Sequence, residues 1–187
     1  AGQNFCDTIA FGCFCTHKLA LGYWGAQRKA DGPVYMQFTS FMDIALDEAR
    51  RAGAEGEVPV GAVVVHQGEI IGRGRNATRA GCDPSAHAEI MAIRQACAAL
   101  GQDRLAGCDL YVTLEPCAMC AGAIAHARVA RLYFGAADPK SGGVTVGARV
   151  FERTQSHHTP EIYDGIGADE AAALLKSFFA KKRGEKG

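Results

Sequence analysis

Two short motifs, His87-Ala88-Glu89 and Pro116-Cys117-Ala118-Met119-Cys120, lie far apart in the chain. Together they supply one imidazole, two thiols and one carboxylate. Zinc accepts nitrogen and sulfur ligands in a tetrahedral shell, and a catalytic site leaves one of the four positions for water. Three ligands with a carboxylate beside them therefore predict a catalytic zinc site. Any fold of this chain has to bring the two motifs together.

The spacing within each motif favours the same interpretation. Cys117 and Cys120 are three residues apart, so on a helix both thiols lie on one face and can bind one ion. Pro116 suits the first turn of that helix, where its missing N–H is not needed. The positive end of the helix then favours the ionised thiols that bind metal. We expect His87 in the first turn of another helix with Glu89 just beyond it, so that one side chain holds the metal while the other reaches the water.

Composition narrows the class of protein. The chain has 187 residues, of which 48% are hydrophobic and 21% charged, and this predicts one globular domain. The formal net charge of zero argues against nucleic-acid binding by bulk electrostatics, but a local basic patch is compatible with it. No apolar run reaches the roughly 18 residues of a membrane span, so we expect a soluble protein. Eight cysteines in a chain of this size do not require disulfides, and we expect a reducing compartment, the cytoplasm.

The first 35 residues differ from the rest. Residues 1–35 show no sustained helical or strand period, carry three cysteines and contain no methionine before Met36. We expect this segment to be a leader or non-native extension without ordered structure, and residues 36–187 to form the functional domain. Asp7 stands where a signal peptide needs a basic region, and an organellar transit segment is the alternative.

From Met36 onward, helical and strand patterns alternate. Apolar residues at helical spacing predict helices at residues 41–53, 86–100 and 168–183, and another that begins at Pro116. Strands are predicted at 58–65, 109–114, 129–134 and 161–163, with a return strand from Ile70 after a turn at Gln67-Gly68. Helices that alternate with strands predict a layered α/β domain with helices packed against a central sheet.

The two motifs carry a resemblance to a known family. H-A-E followed by P-C-A-M-C resembles the signature of the zinc-dependent cytidine and nucleotide deaminase superfamily. Longer stretches are similar to its bacterial tRNA adenosine deaminases, namely residues 58–63, 72–76, 86–91, 110–122 and 134–136. The resemblance runs from Met36 nearly to the C-terminus. It implies a three-layer α/β/α fold of the cytidine deaminase type with a central mixed five-stranded sheet.

The resemblance also assigns roles within the motifs. It implies that His87, Cys117 and Cys120 bind one zinc ion per subunit. Glu89 is implied to carry protons between the attacking water and the departing amine. The implied reaction is hydrolysis of adenosine to inosine at the wobble position, position 34, of an arginine tRNA. The target base must be turned out of its stack, which costs least in an unpaired loop.

Four further residues are implied to contact the tRNA anticodon stem-loop. Asn76 matches a position that hydrogen-bonds the target nucleoside, and Asp138 and Lys140 match positions that approach the backbone of the loop. Phe179, with Phe178 and the basic residues that follow, matches the end of the last helix, which helps to hold the loop. The family also implies a homodimer, in which a neighbouring subunit helps to complete each site.

Two other functions fit the same residues. Between Gly142 and Pro160 the sequence departs from the family pattern, in a region where deaminases differ in substrate. A deaminase of a free nucleobase or nucleotide, such as guanine, cytosine or a riboflavin precursor, is therefore the alternative enzyme. A nucleic-acid-binding module that keeps zinc only for its structure is the alternative outside enzymes.

Individual residues also have ordinary structural interpretations. Asn76 follows a strand and can serve a turn. Asp138 and Lys140 flank a proline and can form a solvated turn. Phe178 and Phe179 follow two leucines at helical spacing, and we expect one of the two phenylalanines to be buried.

Overall fold

The structure, a computed structural model, describes residues 40–185. Within that range four α-helices and five strands follow one another: α1 (Phe41–Ala54), β1 (Gly61–His66), β2 (Glu69–Arg75), α2 (Ala88–Leu100), β3 (Cys108–Leu114), α3 (Ala118–Ala127), β4 (Arg131–Ala136), β5 (Glu161–Tyr163) and α4 (Ala168–Gly184). A turn of 3-10 helix lies at Val150–Glu152. The prediction about residues 1–35 falls outside the described residues. No helix between residues 40 and 185 is both long enough and apolar enough to cross a membrane.

The five strands form one sheet in the order β2-β1-β3-β4-β5. β1 runs antiparallel to both β2 and β3, whereas β3 and β4, and β4 and β5, are parallel. The predicted mixed five-stranded sheet is confirmed. Each parallel connection carries a crossover, and the crossover between β3 and β4 contains α3.

Helices cover both faces of the sheet. Val64 and Leu110 belong to a core that includes α2 and α3, while Val63 belongs to a second core with residues of α1 and α4. Neighbouring residues of β1 enter different cores because side chains alternate across a strand. The result is the predicted three-layer α/β/α arrangement.

Local signals place several element ends. The Ser40 hydroxyl accepts a hydrogen bond from the N–H of Met42 at 3.2 Å and caps α1. Gln67 and Gly68 have φ of 52° and 83° and form the tight turn between β1 and β2, as predicted. α2 ends at Gly101 in the left-handed conformation.

Some predicted boundaries were wrong by one to three residues. The fourth strand begins at Arg131 instead of residue 129, because the left-handed Arg128 caps α3 and the N–H of Val129 turns back to the carbonyl of Ile124. α1 ends one residue beyond the expected Gly53, α2 begins at residue 88 instead of 86, β1 begins at residue 61 instead of 58, and β3 begins one residue earlier than expected.

Gly74 lets α2 lie directly on β2. A Cβ at this position would stand 2.1 Å from the carbonyl oxygen of Ala88 and 2.5 Å from the nitrogen of Ala92. The absence of a side chain therefore sets how closely the first turn of α2 approaches the sheet. His87, just before that turn, is positioned by the same contact.

Candidate active site

Two helix N-termini on the same side of the sheet bring the metal-ligating side chains together. His87 directly precedes α2, Cys117 directly precedes α3, and Cys120 lies in the first turn of α3. The Nδ1 atom of His87 lies 3.6 Å from the Sγ of Cys117 and 3.5 Å from the Sγ of Cys120. The three ligand atoms all lie within 4.8 Å of one another.

These distances fit a single zinc ion. Zinc binds histidine nitrogen at about 2.0 to 2.1 Å and thiolate sulfur at about 2.3 Å, so tetrahedral nitrogen and sulfur ligands are about 3.6 Å apart. The observed separations of 3.5 and 3.6 Å agree with that value. Hydrogen bonds from Cys120 and then His87 lower the pKa of the Cys117 thiol to about 4, which favours the thiolate form.

The ligands sit slightly earlier on their helices than expected. His87 has an extended backbone and is the cap of α2, outside its first turn. Cys117 likewise caps α3, which moves Pro116 out of the first helical turn where the sequence pattern placed it. Cys117 therefore has an extended backbone and Cys120 a helical one, and both thiols lie next to Nδ1 of His87.

Glu89, the second residue of α2, faces the same cavity as His87 and Cys117. Its side chain is buried, and burial raises the pKa of the Glu89 carboxyl. The cavity has a volume of about 230 Å³. The predicted carboxylate and two of the predicted ligands thus lie at one concave surface.

Asn76 follows β2 and lines this cavity. Its Oδ1 accepts a hydrogen bond from the N–H of Ala88 at 2.9 Å. His87 offers no side-chain cap to α2, so Asn76 supplies the missing acceptor from outside the helix. This bond uses the oxygen of the amide and leaves its nitrogen as a donor.

The other predicted substrate residues divide between two surfaces. Asp138 lines the cavity with Ser141, but the exposed Lys140 does not. Phe179 is 45% exposed and lines a second cavity of about 360 Å³. The two cavities share Val58 and Thr78 as wall residues, so they adjoin each other.

The expectation that Phe178 or Phe179 is buried was wrong. Phe178 is half-buried, Phe179 is exposed, and their rings meet edge to face at 5.4 Å. The ammonium of Lys182 lies 5.9 Å from the centre of the Phe178 ring. The end of α4 therefore presents aromatic and cationic groups to solvent instead of contributing to the core.

Sequence reasoning missed two buried glutamates beside the cavity. Glu57 accepts hydrogen bonds from the N–H groups of Arg79 and Ala80, each at 2.9 Å. Glu115 lines the cavity and precedes the first cysteine motif by one proline. Burial acts to raise the pKa of Glu115, but the hydrogen bonds it accepts outweigh burial and lower it. The signal in the sequence is a glutamate that adjoins an apolar run: Glu57 directly precedes Val58, and Glu115 directly follows Leu114.

Comparison with known proteins agrees with this geometry. Residues 36–136 match the family model for the cytidine and deoxycytidylate deaminase zinc-binding region. The tRNA-specific adenosine deaminase of Agrobacterium fabrum is 56% identical over 145 residues, which cover 78% of this chain and 95% of that protein.

Two solved structures share the fold. One, from biochemical and structural studies of A-to-I editing by tRNA:A34 deaminases at the wobble position, has a TM-score of 0.71 and 56% identity, over 72% of this chain and 98% of that one. The guanine deaminase of Nitrosomonas europaea has a TM-score of 0.63 and 27% identity, over 74% of this chain and 82% of that one. The predicted zinc cofactor and deaminase family are confirmed. This chain belongs to the cytidine and deoxycytidylate deaminase family and, within it, groups with the tRNA-specific adenosine deaminases.

Proposed function

We propose that the protein converts adenosine in transfer RNA to inosine by hydrolysis. The observation that carries the proposal is one cavity that joins His87, Cys117 and Glu89, in a chain 56% identical to a tRNA-specific adenosine deaminase. As the target we propose adenosine 34, the wobble base of an arginine tRNA. An unpaired anticodon base is turned out of its stack at least cost.

His87, Cys117 and Cys120 are the residues that would hold zinc. A zinc ion held by three protein ligands would keep one position for water and would lower the pKa of that water to about 7. In this proposal Glu89 accepts one proton from the attacking water and delivers it to the ring nitrogen next to the amine. It then takes the second proton from the hydroxyl group now bonded to C6 and delivers that proton to the amine. The water oxygen bonds to C6, the bond between C6 and the amine breaks, and ammonia leaves.

Burial of Glu89 suits this role. Its side chain is 4% exposed and sits at the start of α2, where the orphan N–H groups favour a negative charge. A carboxyl that is buried but faces the cavity exchanges protons with the substrate in preference to bulk water. We propose Asn76 as the orienting donor, because its amide oxygen is already held by Ala88 and its nitrogen is free for the nucleoside.

The size and walls of the cavity favour a single base. Its volume of about 230 Å³ is below the roughly 300 to 1,000 Å³ of pockets that enclose whole drug-sized ligands. Val58, Val60 and Leu114 supply apolar walls for the flat faces of a purine. The rest of the nucleic acid then lies outside the cavity.

We propose that the adjoining surface binds the remainder of the anticodon loop. Arg79, Phe179, Lys182 and Arg183 line the second cavity, which continues from the first through Val58 and Thr78. Exposed aromatic rings stack on bases, and cations bind phosphates. We assign Asp138 to the rim of the base cavity and the exposed Lys140 to the phosphate backbone beyond it.

We further propose a homodimer. α3 is almost wholly apolar, yet Met119 is 42% exposed beside Cys120, and Gly122 and Ala123 are half-buried. A concave surface of about 420 Å³ lies next to this helix, lined in part by Gly122 and His126. A partly exposed apolar helix that begins at the metal site and borders such a cavity suits contact with a second subunit.

The guanine deaminase likeness supports a second candidate, deamination of a free nucleobase. Its lower identity, 27% against 56%, makes it the weaker of the two. A tRNA substrate and thiolate ligands both suit the reducing cytoplasm, where we place the activity. We also propose that residues 36–187 are sufficient for it.

The test uses an arginine anticodon stem-loop with adenosine at position 34. The full chain and a version that begins at Met36 should both yield inosine, read by mass spectrometry, and should leave a stem-loop with guanosine at position 34 unchanged. Turnover of free guanine or cytosine without turnover of the stem-loop would establish the second candidate function, deamination of a free nucleobase. Loss of zinc or activity in the shorter version would refute the sufficiency of residues 36–187.

A further inference from the structure

We propose that Glu115 is a positioning residue that holds residues 138–146 as a fixed wall of the substrate cavity. This wall sets the affinity for RNA and leaves the rate of the chemical step almost unchanged. The inference rests on the proposed function, because it concerns the same cavity.

Glu115 lies between β3 and the first thiol ligand. It is 2% exposed, and its backbone N–H bonds to the carbonyl of Ala136 at the end of β4. Its side chain points toward the segment that follows β4, and no Lys or Arg forms an ion pair with it among residues 40–185. A buried carboxylate without a cation needs several hydrogen-bond donors to offset its desolvation.

Those donors all come from one loop. The Oε1 atom accepts from the N–H groups of Val144, Thr145 and Val146 at 3.2, 2.8 and 3.3 Å, and from the Thr145 hydroxyl at 3.1 Å. The Oε2 atom accepts from the N–H of Asp138 at 3.1 Å. One carboxylate therefore ties both ends of the loop to the strand that leads to Cys117.

Close packing supports the same picture. A Cβ on Gly142 would lie 2.5 Å from the carboxyl carbon of Glu115, and a Cβ on Gly143 would lie 2.6 Å from the nitrogen of Ala118. The N–H of Gly143 also bonds to the carbonyl of Pro116 at 2.8 Å. The loop is thus seated against the carboxylate and against the start of α3.

The held loop carries the rim of the cavity. Asp138 and Ser141 line it, and Oδ1 of Asp138 accepts from the N–H groups of Lys140 and Ser141, both at 3.0 Å. The position of this turn follows from the bond between Asp138 and Glu115. His87 and Glu89 depend on other supports, because both are placed by α2 and its contact with Asn76.

Glu115→Gln tests the wall with a small change. Glutamine keeps one oxygen, which can satisfy the donors of residues 144–146, but its amide nitrogen then faces the N–H of Asp138, donor against donor. In the zinc-loaded full chain, backbone amide exchange should stay slow at Val144 and Thr145 and become fast at Asp138. The dissociation constant for the anticodon stem-loop, measured by fluorescence anisotropy, should rise about tenfold. Zinc content should be unchanged, and kcat should stay within about twofold.

Two matched variants complete the test. Glu48→Gln alters an equally buried glutamate, 3% exposed, that pairs with Arg51 and Arg75 and does not line the cavity. It should lower the melting temperature and leave the dissociation constant unchanged. Thr145→Val removes only the hydroxyl donor from an exposed position, and should weaken stem-loop binding by about twofold even if Glu115→Gln fails to fold.

The possible outcomes distinguish failure of the positioning role of Glu115 from failure of the proposed function. Unchanged exchange at Asp138 in Glu115→Gln, or a fall in kcat with an unchanged dissociation constant, would overturn the positioning role. A wild-type chain that binds the stem-loop but yields no inosine would refute the proposed function. In that case the exchange and binding measurements still decide the role of Glu115.

Discussion

Gly74→Ala tests whether the close contact between α2 and β2 determines the position of His87 in the metal site. The new methyl group would stand 2.1 Å from the Ala88 carbonyl oxygen, more than 1 Å short of ordinary contact at 3.4 Å. The atoms it meets are backbone, so the first turn of α2 has to move by about 1 Å. His87 immediately precedes that turn and would move with it, while Cys117 and Cys120 remain on α3.

A zinc site does not tolerate such a shift. Ligand distances in zinc sites vary by only about 0.2 Å. We therefore expect zinc affinity to fall by about 10 to 100-fold, the range found when groups that orient metal ligands are altered. Overpacking should also lower the free energy of unfolding by about 1 to 3 kcal/mol. Competition with a coloured chelator measures the affinity, and thermal unfolding of the metal-free protein measures the stability.

Gly68→Ala is the matched control. Gly68 has a φ of 83° with no atom within 4 Å of an added Cβ, so alanine strains the backbone without a collision. It should cost about 1 to 2 kcal/mol in stability and leave zinc affinity at the wild-type value. If Gly74→Ala bound zinc as tightly as this control, the link between the α2–β2 contact and the metal site would be refuted.

Three further changes test the site and the core. Glu89→Gln should reduce kcat on the stem-loop by about 10² to 10⁴-fold with zinc content unchanged, and a rate near wild type would remove Glu89 from proton transfer. Removal of zinc with a chelator should abolish inosine formation and lower the melting temperature, both restored by added zinc, whereas full activity after verified metal removal would contradict the mechanism. Ile124→Ala empties part of the core under α3 and should cost about 2 to 5 kcal/mol in urea unfolding, and a loss below 1 kcal/mol would show that the site collapses around the gap.

The sequence predicted the architecture well because the pattern is local. Alternation of apolar runs sufficed for the order of helices and strands and for a layered α/β domain. The three layers and the mixed five-stranded sheet were implied by the resemblance to the deaminase superfamily. The ligand set followed from residue types alone, because imidazole and paired thiols have few other uses in this spacing. Each helix, each strand and each of the two motifs depends on residues that are close in sequence, whereas the meeting of His87 with Cys117 and Cys120 depends on the fold.

What could not be predicted depends on distant contacts. α2 starts two residues late because its acceptor is Asn76, which is twelve residues upstream of Ala88 and across a loop. Glu115 finds its donors 23 to 31 residues downstream. The exposure of Phe179 depends on where α4 ends relative to the sheet, which helical spacing does not specify.

The side-chain amide of Asn76 has two separate roles, one for its oxygen and one for its nitrogen, and a replacement has to keep both. Aspartate would keep the acceptor for the N–H of Ala88 and lose the donor. Serine is too short to reach Ala88, and alanine has neither an acceptor nor a donor. Among the twenty residue types, asparagine alone offers an oxygen and a nitrogen at this short range. A saturation-mutagenesis library should therefore show near-complete intolerance here, with some variants failing through instability and others through poor substrate recognition.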